Sequence, residues 1–254
     1  MIVTTEKQRG DLIESGKRLA RILGVLAGKV APGVSASELD DLAEKLIRDG
    51  GDTPAFLGYK GEGSRPYPAT LCVSINDEIV HGIPNESEKI FKEGDIVSLD
   101  FGLIHNGVVT DAAVTVAVGN IDEQSKKLLR ATENALAAGI AEAIPGNYLG
   151  DISHAIQAEI EKAGFAVVKE LGGHGVGDEV HEEPFIPNFG KKGEGELLVE
   201  GMVLALEPIS SAGKSAMTLA PDGWTYRTKD GSRSAHFEHT ILIEKSGARI
   251  ITKL

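Results

Sequence analysis

The pattern that most constrains the fold is a β-hairpin signal, in which two β-prone runs flank Asn106-Gly107. Asn-Gly favours a two-residue type I′ turn, because both of its positions need a positive φ. A loop made of these two residues fixes the register of the strands, so that Gly102 faces Asp111. Side chains alternate along a strand, so Asp100 and Asp111 are predicted to lie diagonally on one face, with backbones about 7–8 Å apart. Two carboxylates in that arrangement can share one or two cations.

The two faces of this hairpin differ in character. One face is apolar and predicts a core surface, and it carries Val97, Leu99, Phe101, Leu103, Val114 and Val116. The face with the aspartates is otherwise built of small residues, namely Ser98, Gly102 and Ala113. On the hairpin alone, aspartates that merely meet water are the simpler interpretation, because exposed Asp is common. A metal site therefore needs support from other segments.

Composition and charge exclude several classes of protein. The chain has 254 residues with 41% hydrophobic and 25% charged content, which is typical of a globular protein with a sizeable core. A net charge of -12 argues against a nucleic-acid surface, which needs clustered Lys and Arg. Cys72 is the only cysteine, so no intramolecular disulfide can form. The start lacks a signal-peptide core and no apolar run reaches membrane-spanning length, so we expect a soluble, cytoplasmic protein.

A pair of helices is predicted twice along the chain. The apolar periodicity and the breakers around it predict helices over residues 6–30, 35–50, 122–144 and 151–163. An offset of 113 residues (145 − 32) superposes Pro32-Gly33 on Pro145-Gly146. This predicts a weak internal duplication with two pseudo-equivalent halves around a cleft, although helix pairs also share such turn chemistry by chance. No Pro/Ser-rich linker interrupts the chain, so we expect one domain over residues 1–254.

Five runs rich in Val, Ile and Leu predict strands. They cover residues 70–74, 96–103, 108–118, 202–207 and 235–243. Each of the last four holds a carboxylate within an apolar or small-residue run, and Glu207 and Glu238 are two of these acids. Burying a charge is costly unless it has a partner, so these acids are candidates for a common site.

A glycine-rich segment over residues 171–184 carries His174 and His181. Its glycines preclude a stable helix and permit close backbone approach, which predicts a rigid irregular loop that presents both imidazoles. The helical zinc motif is excluded, because no second histidine stands four residues after His181. A lone histidine is more often structural, whereas two in such a loop favour a functional site. Four acids packed together without a cation would repel one another, so oxygen donors with an imidazole and no thiolate predict Mn, Fe, Co, Zn or Mg.

Taken together, these segments resemble the type I methionine aminopeptidases. The resemblance covers the chain from the first helix to its end and rests on His81-Gly82-Ile83-Pro84, Asp100, Asp111, the Gly-Gly-His-Gly loop with His181-Glu182-Glu183-Pro184, Glu207-Pro208 and Glu238-His239-Thr240. It implies an α/β (α+β) fold, the single-domain pita-bread (creatinase/aminopeptidase) fold, with pseudo-twofold symmetric halves around a central antiparallel sheet. Only 31 positions (238 − 207) separate the two glutamates, which leaves no room for the large insertion of type II enzymes.

The resemblance also implies a centre of two divalent ions per chain, with Co, Mn, Fe, Zn or Ni as the candidate metals. The implied ligands are Asp100 on one ion, His174 and Glu207 on the other, and Asp111 and Glu238 as bridges between them. Two such cations can lower the pKa of a bridging water and stabilise the oxyanion that forms on the scissile carbonyl.

Catalytic roles follow from the same resemblance. Glu207 would help to move the proton of the attacking water. His181 would hydrogen-bond the substrate carbonyl oxygen, and His81 would contact the scissile amide or help to protonate the leaving amine.

A pocket for a methionine side chain is implied as well. Its candidate lining residues are Tyr59, Tyr67, Cys72 and Trp224, and aromatic rings with a thiol suit a polarizable thioether. Plain core packing is the alternative for Cys72 and Tyr67. Two features depart from the family pattern: the stretch 60–66 is longer than the common loop, and Val180 stands where many relatives carry an aromatic residue.

The resemblance therefore predicts removal of the initiator methionine from nascent polypeptides, preferentially before a small second residue. It predicts N-terminal Met peptides as substrates, a monomer, transient ribosome contact, and no specific nucleic acid or membrane partner. Two alternatives remain. One is an Xaa-Pro-type aminopeptidase of the same fold, which usually has an extra N-terminal domain, whereas only about eighty residues precede His81 here. The other is a non-catalytic peptide-binding relative, which we would expect to have lost a metal ligand.

Overall fold

The computed structural model describes residues 1–61 and 65–253. Residues 62–64 of the long loop 60–66 therefore lie outside the description. The helices are α1 (Glu6–Ala27), α2 (Ala36–Asp49), α3 (Glu123–Glu142) and α4 (Leu149–Lys162). The strands are β1 (Thr53–Pro54), β2 (Cys72–Ile75), β3 (Glu78–Val80), β4 (Ile96–His105), β5 (Val108–Ala117), β6 (Ala166–Val167), β7 (Gly172–Gly175), β8 (Glu182–Pro187), β9 (Val203–Leu206), β10 (Ile209–Ser211), β11 (Met217–Leu219), β12 (Tyr226–Thr228), β13 (Ser234–His236), β14 (His239–Glu244) and β15 (Gly247–Ile250).

Polar side chains set the helix starts. The capping box predicted at Ser35 and Glu38 is present: the Ser35 hydroxyl accepts from the Glu38 N–H, and the Glu38 carboxylate accepts from the Ser35 N–H. The prediction for α4 was wrong at its start, because the helix begins at Leu149 rather than at residue 151. Asp151 lies inside the first turn, and its carboxylate accepts from the Tyr148 N–H. A carboxylate there satisfies a backbone donor that the helix leaves free.

The two helix pairs repeat at the predicted offset. α4 begins 113 residues after α2 (149 − 36) and ends 113 residues after it (162 − 49). Gly33 and Gly146 precede these helices with φ of 88° and 95°, and Gly51 and Gly164 follow them with φ of 79° and 84°. Glycine is favoured at such positions because it has no Cβ to clash in the left-handed region. The two helices thus share the glycine turns that precede and follow them, whereas of the two only α2 is capped by a side-chain hydroxyl.

Among the described residues the strand pairs are antiparallel, as predicted, and they are distributed over four sheets. The orders are β1-β4-β2 with β5 beside β4, then β13-β10-β6, then β11-β12-β3, and finally β15-β14-β9-β7-β8. The hairpin of β4 and β5 has the predicted register, with Gly102 opposite Asp111 and Asp100 opposite Ala113. Its turn residues Asn106 and Gly107 have φ of 50° and 82°, as a type I′ turn requires.

The prediction of one strand over residues 235–243 was wrong. The run divides at Phe237 and Glu238 into β13, which pairs with β10, and β14, which pairs with β9 and β15. At the break the Glu238 N–H donates to the Ala113 carbonyl of β5, 2.9 Å away. The chain therefore crosses from one sheet to another along the edge of the hairpin, which apolar content alone does not reveal.

The prediction of an irregular loop over the glycine-rich segment was also wrong in part. Residues Gly172–Gly175 form strand β7 inside the five-stranded sheet, between β8 and β9. A Cβ on Gly173 would lie 2.3 Å from the Ala205 carbonyl oxygen, and one on Gly175 would lie 2.3 Å from the Glu183 carbonyl oxygen. Glycine is needed here for close approach of neighbouring strands rather than for irregularity.

Two large apolar clusters hold these layers together. In the first, the predicted core face of the hairpin packs under α1 and α2, and its residues Val97, Leu99, Phe101 and Leu103 are each 0% exposed. In the second, α3 and α4 cover the five-stranded sheet through residues such as Leu128, Ile156 and Ile241. Across the described ranges, none of the helices combines the length and the apolar content needed to cross a membrane.

Candidate metal centre and substrate cavity

The five predicted ligands come from different elements and line one cavity of about 530 Å³. Asp100 and Asp111 project from β4 and β5, and His174 projects from β7. Glu207 follows the last residue of β9, and Glu238 lies at the break between β13 and β14. Elements from both halves of the chain therefore meet at this cavity.

The closest group among them is formed by Asp111, His174 and Glu238, whose potential ligand atoms all lie within 4.8 Å of one another. His174 Nε2 also lies 3.6 Å from Glu207 Oε1. Asp100 contacts this group through Asp111. Burial is the larger cause of the raised pKa of the Asp100 carboxyl, and the charge of Asp111 raises that pKa further. The spacing suits a cation coordinated by several donors at once.

The burial of these acids fits a divalent metal. Asp111 and Glu238 are each 2% exposed, and Asp100 is 7% exposed. One carboxylate oxygen of each has no hydrogen-bond partner within residues 1–61 and 65–253, namely Asp100 Oδ1, Asp111 Oδ1 and Glu238 Oε1. Burial, followed by the charge of Glu207, raises the pKa of Asp111 to about 8. A divalent cation would satisfy the free oxygens and hold the carboxylates in their charged form.

His174 is oriented as a metal ligand. Its Nδ1 lies 2.9 Å from the Gly175 carbonyl oxygen, which can only accept, so Nδ1 carries the proton and donates it. The lone pair is then on Nε2, which faces the glutamates. Burial lowers the pKa of His174 to about 3, so the ring is neutral and that lone pair is available. A backbone carbonyl that fixes the tautomer of a ligating histidine is a common arrangement in metal sites.

His181 lies beside His174 at the more open rim of the cavity. The centroids of the two rings are 4.4 Å apart. The hydroxyl of Tyr59 lies 2.7 Å from His181 Nδ1. Tyr59 was predicted to line the methionine pocket, and it does line the cavity, but its polar end contacts the imidazole. With the hydroxyl as donor, His181 carries its proton on Nε2 and can donate it to a substrate oxygen.

His81 follows β3 in the left-handed region, with φ of 57°. Its carbonyl accepts from the Thr225 hydroxyl, 3.3 Å away, and its ring lies edge-on to Trp224 with centroids 6.1 Å apart. Burial, and then the nearby imidazoles, lowers the pKa of His81 to about 4, so the ring is neutral at physiological pH. A non-glycine residue in this region carries strain, of the kind that collects at functional sites.

The other predicted pocket residues also line the cavity. Tyr67 and Cys72 are each 3% exposed and Trp224 is 8% exposed. Tyr67 and Trp224 meet edge to face at a centroid distance of 5.3 Å, and Cys72 stands opposite Asp100 in the pairing of β2 with β4. Val180 is buried in the first apolar cluster. An aromatic and thiol wall thus borders the acidic ligands directly.

His236 had no predicted role, yet the structure brings it into the same site. Its Nε2 lies 3.3 Å from Glu207 Oε2 and 3.9 Å from Glu238 Oε2, and the residue is 2% exposed. Burial lowers its pKa to about 3. The sequence signal that could have identified His236 is its position two residues before Glu238, since residues two apart in an extended run project to the same side.

Comparisons with known proteins agree with this geometry. Residues 11–245 match the model of metallopeptidase family M24. A methionine aminopeptidase of Aquifex aeolicus is 49% identical, over 98% of both chains. The crystal structure of a methionine aminopeptidase of Thermotoga maritima superposes with a TM-score of 0.95 at 45% identity, over 100% of both chains. A prolidase of Pyrococcus horikoshii shares the fold, with a TM-score of 0.75 at 22% identity over 99% of this chain and 63% of its own.

Proposed function

The chain belongs to metallopeptidase family M24 and, within it, to the methionine aminopeptidases; on this premise we propose how its cavity removes an N-terminal methionine. The function is a metal-dependent hydrolysis of the peptide bond that follows the N-terminal residue. One observation carries the proposal above others: buried acids and a neutral imidazole converge beside an aromatic and thiol pocket. The first group suits a metal-activated water, and the second suits a thioether side chain.

We assign the ligands as the family resemblance implies. Asp100 would bind one divalent ion, His174 and Glu207 a second, and Asp111 and Glu238 both. When bound, the ions supply Lewis acidity, which lowers the pKa of water and stabilises negative charge on the substrate oxygen. Mn, Co, Fe, Zn and Ni all suit oxygen and imidazole donors without thiolate.

The protein's own groups then divide the remaining work. Glu207, whose carboxyl pKa is raised by burial, can take and return a proton within the cavity. His181, held by Tyr59, can donate from Nε2 to the scissile carbonyl oxygen. His81 lines the same cavity and lies against Trp224, where it can contact the scissile amide.

The substrates are peptides that begin with methionine, and we propose that the enzyme prefers those with a small second residue. We further propose initiator methionine removal from nascent chains in the cytoplasm, by a monomer that contacts the ribosome transiently. One catalytic domain over residues 1–254 is part of the same proposal. The net charge of -12 disfavours a specific nucleic-acid partner, and no membrane partner is proposed.

A peptide assay tests the proposal. Purified protein would be stripped with chelator, reloaded with Mn²⁺ or Co²⁺, and given Met-Ala-Ser or an Xaa-Pro peptide. We expect cleavage of Met-Ala-Ser that disappears on stripping and returns on reloading. Preference for the Xaa-Pro peptide would favour the alternative aminopeptidase, and metal binding without any cleavage would favour a binding module. Cleavage that survives complete metal removal would contradict the mechanism.

A further inference from the structure

The edge of β5 contacts the segment 236–240 through a row of hydrogen bonds in which side-chain hydroxyls alternate with a backbone pair. Ordinary antiparallel neighbours join through their backbones, but this segment is where β13 and β14 divide into two sheets. Its central residue still makes a backbone contact, since the Glu238 N–H donates to the Ala113 carbonyl at 2.9 Å. On either side of that contact, threonine hydroxyls take the place of backbone groups.

The first hydroxyl is that of Thr240. It donates to the Asp111 carbonyl at 2.8 Å and accepts from the Asp111 N–H at 2.9 Å. The backbone of Thr240 is engaged elsewhere, because its N–H donates to the Thr252 hydroxyl and its carbonyl accepts from the Ile251 N–H. Thr240 is 0% exposed, so water cannot substitute for its hydroxyl. A single side chain thus satisfies both backbone groups of Asp111.

The second hydroxyl is that of Thr115. It lies on β5 and bonds both backbone groups of a residue on the other segment, His236. It donates to the His236 carbonyl at 2.8 Å and accepts from the His236 N–H at 2.8 Å. Its only proton is used on His236, so the Ser98 hydroxyl, 2.8 Å away, must be the donor in their contact. Thr115 is 3% exposed.

We propose that Thr115 and Thr240 are positioning residues that set the spacing between Asp111 and Glu238. The row of hydrogen bonds runs in register, with Asp111, Ala113 and Thr115 opposite Thr240, Glu238 and His236. Each hydroxyl acts as a spacer about one side chain long, so the two backbones stand apart at Asp111 and at His236, on either side of the direct contact between Glu238 and Ala113, while the carboxylates of Asp111 and Glu238 still meet. This inference rests on the proposed metal centre, because it concerns residues that orient ligands without touching a metal.

The test compares metal binding by matched variants of the full chain. Thr240→Val and Thr115→Val remove the hydroxyls at nearly constant shape, and Thr240→Ser keeps the hydroxyl. Thr132→Val is the control, because Thr132 is equally buried but its hydroxyl donates to the Leu128 carbonyl within α3 and contacts the Ser210 hydroxyl of β10, neither of which belongs to a proposed metal ligand. Each metal-stripped protein would be titrated with Mn²⁺ in a calorimeter, its unfolding midpoint measured, and kcat and KM determined after reloading.

We expect Thr240→Val to weaken Mn²⁺ affinity about tenfold to a hundredfold, the range found when partners of metal ligands are lost. Its kcat should fall while KM changes little, because the substrate pocket is untouched. Thr240→Ser should keep near wild-type affinity, and Thr132→Val should lower the unfolding midpoint without changing affinity.

Wild-type Mn²⁺ affinity in folded Thr240→Val and Thr115→Val would overturn the inference. If Thr240→Val does not fold, Thr115→Val decides the question in the same titration, since it leaves β14 unchanged. Failure of the wild-type protein itself to bind Mn²⁺ would instead overturn the proposed function, and the inference with it.

Discussion

Asp111 shows at the scale of one residue why this cavity is built for a cation. Its carboxylate is buried beside other acids, so in the metal-free protein its charge is unfavourable and its pKa rises to about 8. Asp111→Asn removes the charge at constant shape. We expect at least a hundredfold loss of kcat, together with an unfolding midpoint of the metal-free variant that equals or exceeds that of metal-free wild type.

Peptide cleavage and thermal unfolding after chelator treatment would check both parts of this prediction. Asp41→Asn, at an exposed carboxylate on α2, is the matched control and should change neither. A metal-free Asp111→Asn protein that unfolds well below wild type would show that the carboxylate stabilises the fold itself.

Tyr59 provides a second test at this scale. Removing its hydroxyl with Tyr59→Phe takes away the contact to His181 Nδ1, so the imidazole of His181 is no longer held in one orientation and tautomer. A hydrogen bond of about 1.4 kcal/mol corresponds to a tenfold change in rate, and we expect kcat to fall by about that factor.

The aromatic surface of the pocket is kept in Tyr59→Phe, so KM for a Met peptide should change little. Steady-state kinetics separate the two constants, with Tyr148→Phe, at a more exposed tyrosine that precedes α4, as the control. A raised KM with unchanged kcat would mean that Tyr59 serves only the pocket.

At the scale of elements, β7 carries His174 between two close neighbours. A Cβ on Gly173 would stand 2.3 Å from the Ala205 carbonyl oxygen, so Gly173→Ala must push β7 away from β9. We expect a loss of about 1–3 kcal/mol in the free energy of unfolding and weaker metal binding, because His174 moves with its strand.

Gly10→Ala is the matched control for this substitution. A Cβ there meets nothing within 4 Å, and in the interior of α1 alanine should stabilise the protein by about 0.5–1 kcal/mol. Denaturant unfolding and Mn²⁺ titration measure both variants. Unchanged metal affinity in Gly173→Ala would show that β7 has room to adjust.

The elements also show which parts of the structure a sequence can predict. The four helices and the β4–β5 hairpin were predicted because caps, breakers and Asn106-Gly107 act over a few neighbouring residues. Strand β7 was mistaken for a loop, since its glycines signal close contact with strands that lie elsewhere in the sequence. The break at Glu238 was missed for a related reason: what ends the strand is Ala113, on a distant element.

At the scale of the whole molecule, the site depends on contacts between halves that no local pattern encodes. The five proposed ligand residues were named from motifs, but Asp111, His174 and Glu238 come within 4.8 Å of one another only when the β4–β5 sheet packs against the five-stranded sheet. His236 went unassigned because its contact with Glu207 exists only after β13 pairs with β10, which places His236 opposite Ile209, two residues after Glu207. Local motifs identify the candidate ligand residues, and tertiary packing sets the distances between them.

The same geometry means that metal should link the two halves. Asp100 and Asp111 belong to the hairpin of the first half, whereas His174, Glu207 and Glu238 belong to the second, so a bound ion stabilises only the assembled state. A ligand at one hundred times its dissociation constant adds about 2.7 kcal/mol to the free energy of unfolding. For a chain of this size, that corresponds to about 5–10 °C in the unfolding midpoint.

We therefore expect chelator to lower the unfolding midpoint of wild type by about that amount and Mn²⁺ to restore it. Asp111→Asn should lose most of this response, because a proposed ligand that the first half contributes to the shared ion loses its charge, and Asp41→Asn should keep it. Differential scanning calorimetry with measured metal content would provide the check. An unchanged midpoint after verified metal removal would mean that the halves are held together by their apolar clusters alone, and that the acids meet without contributing to assembly.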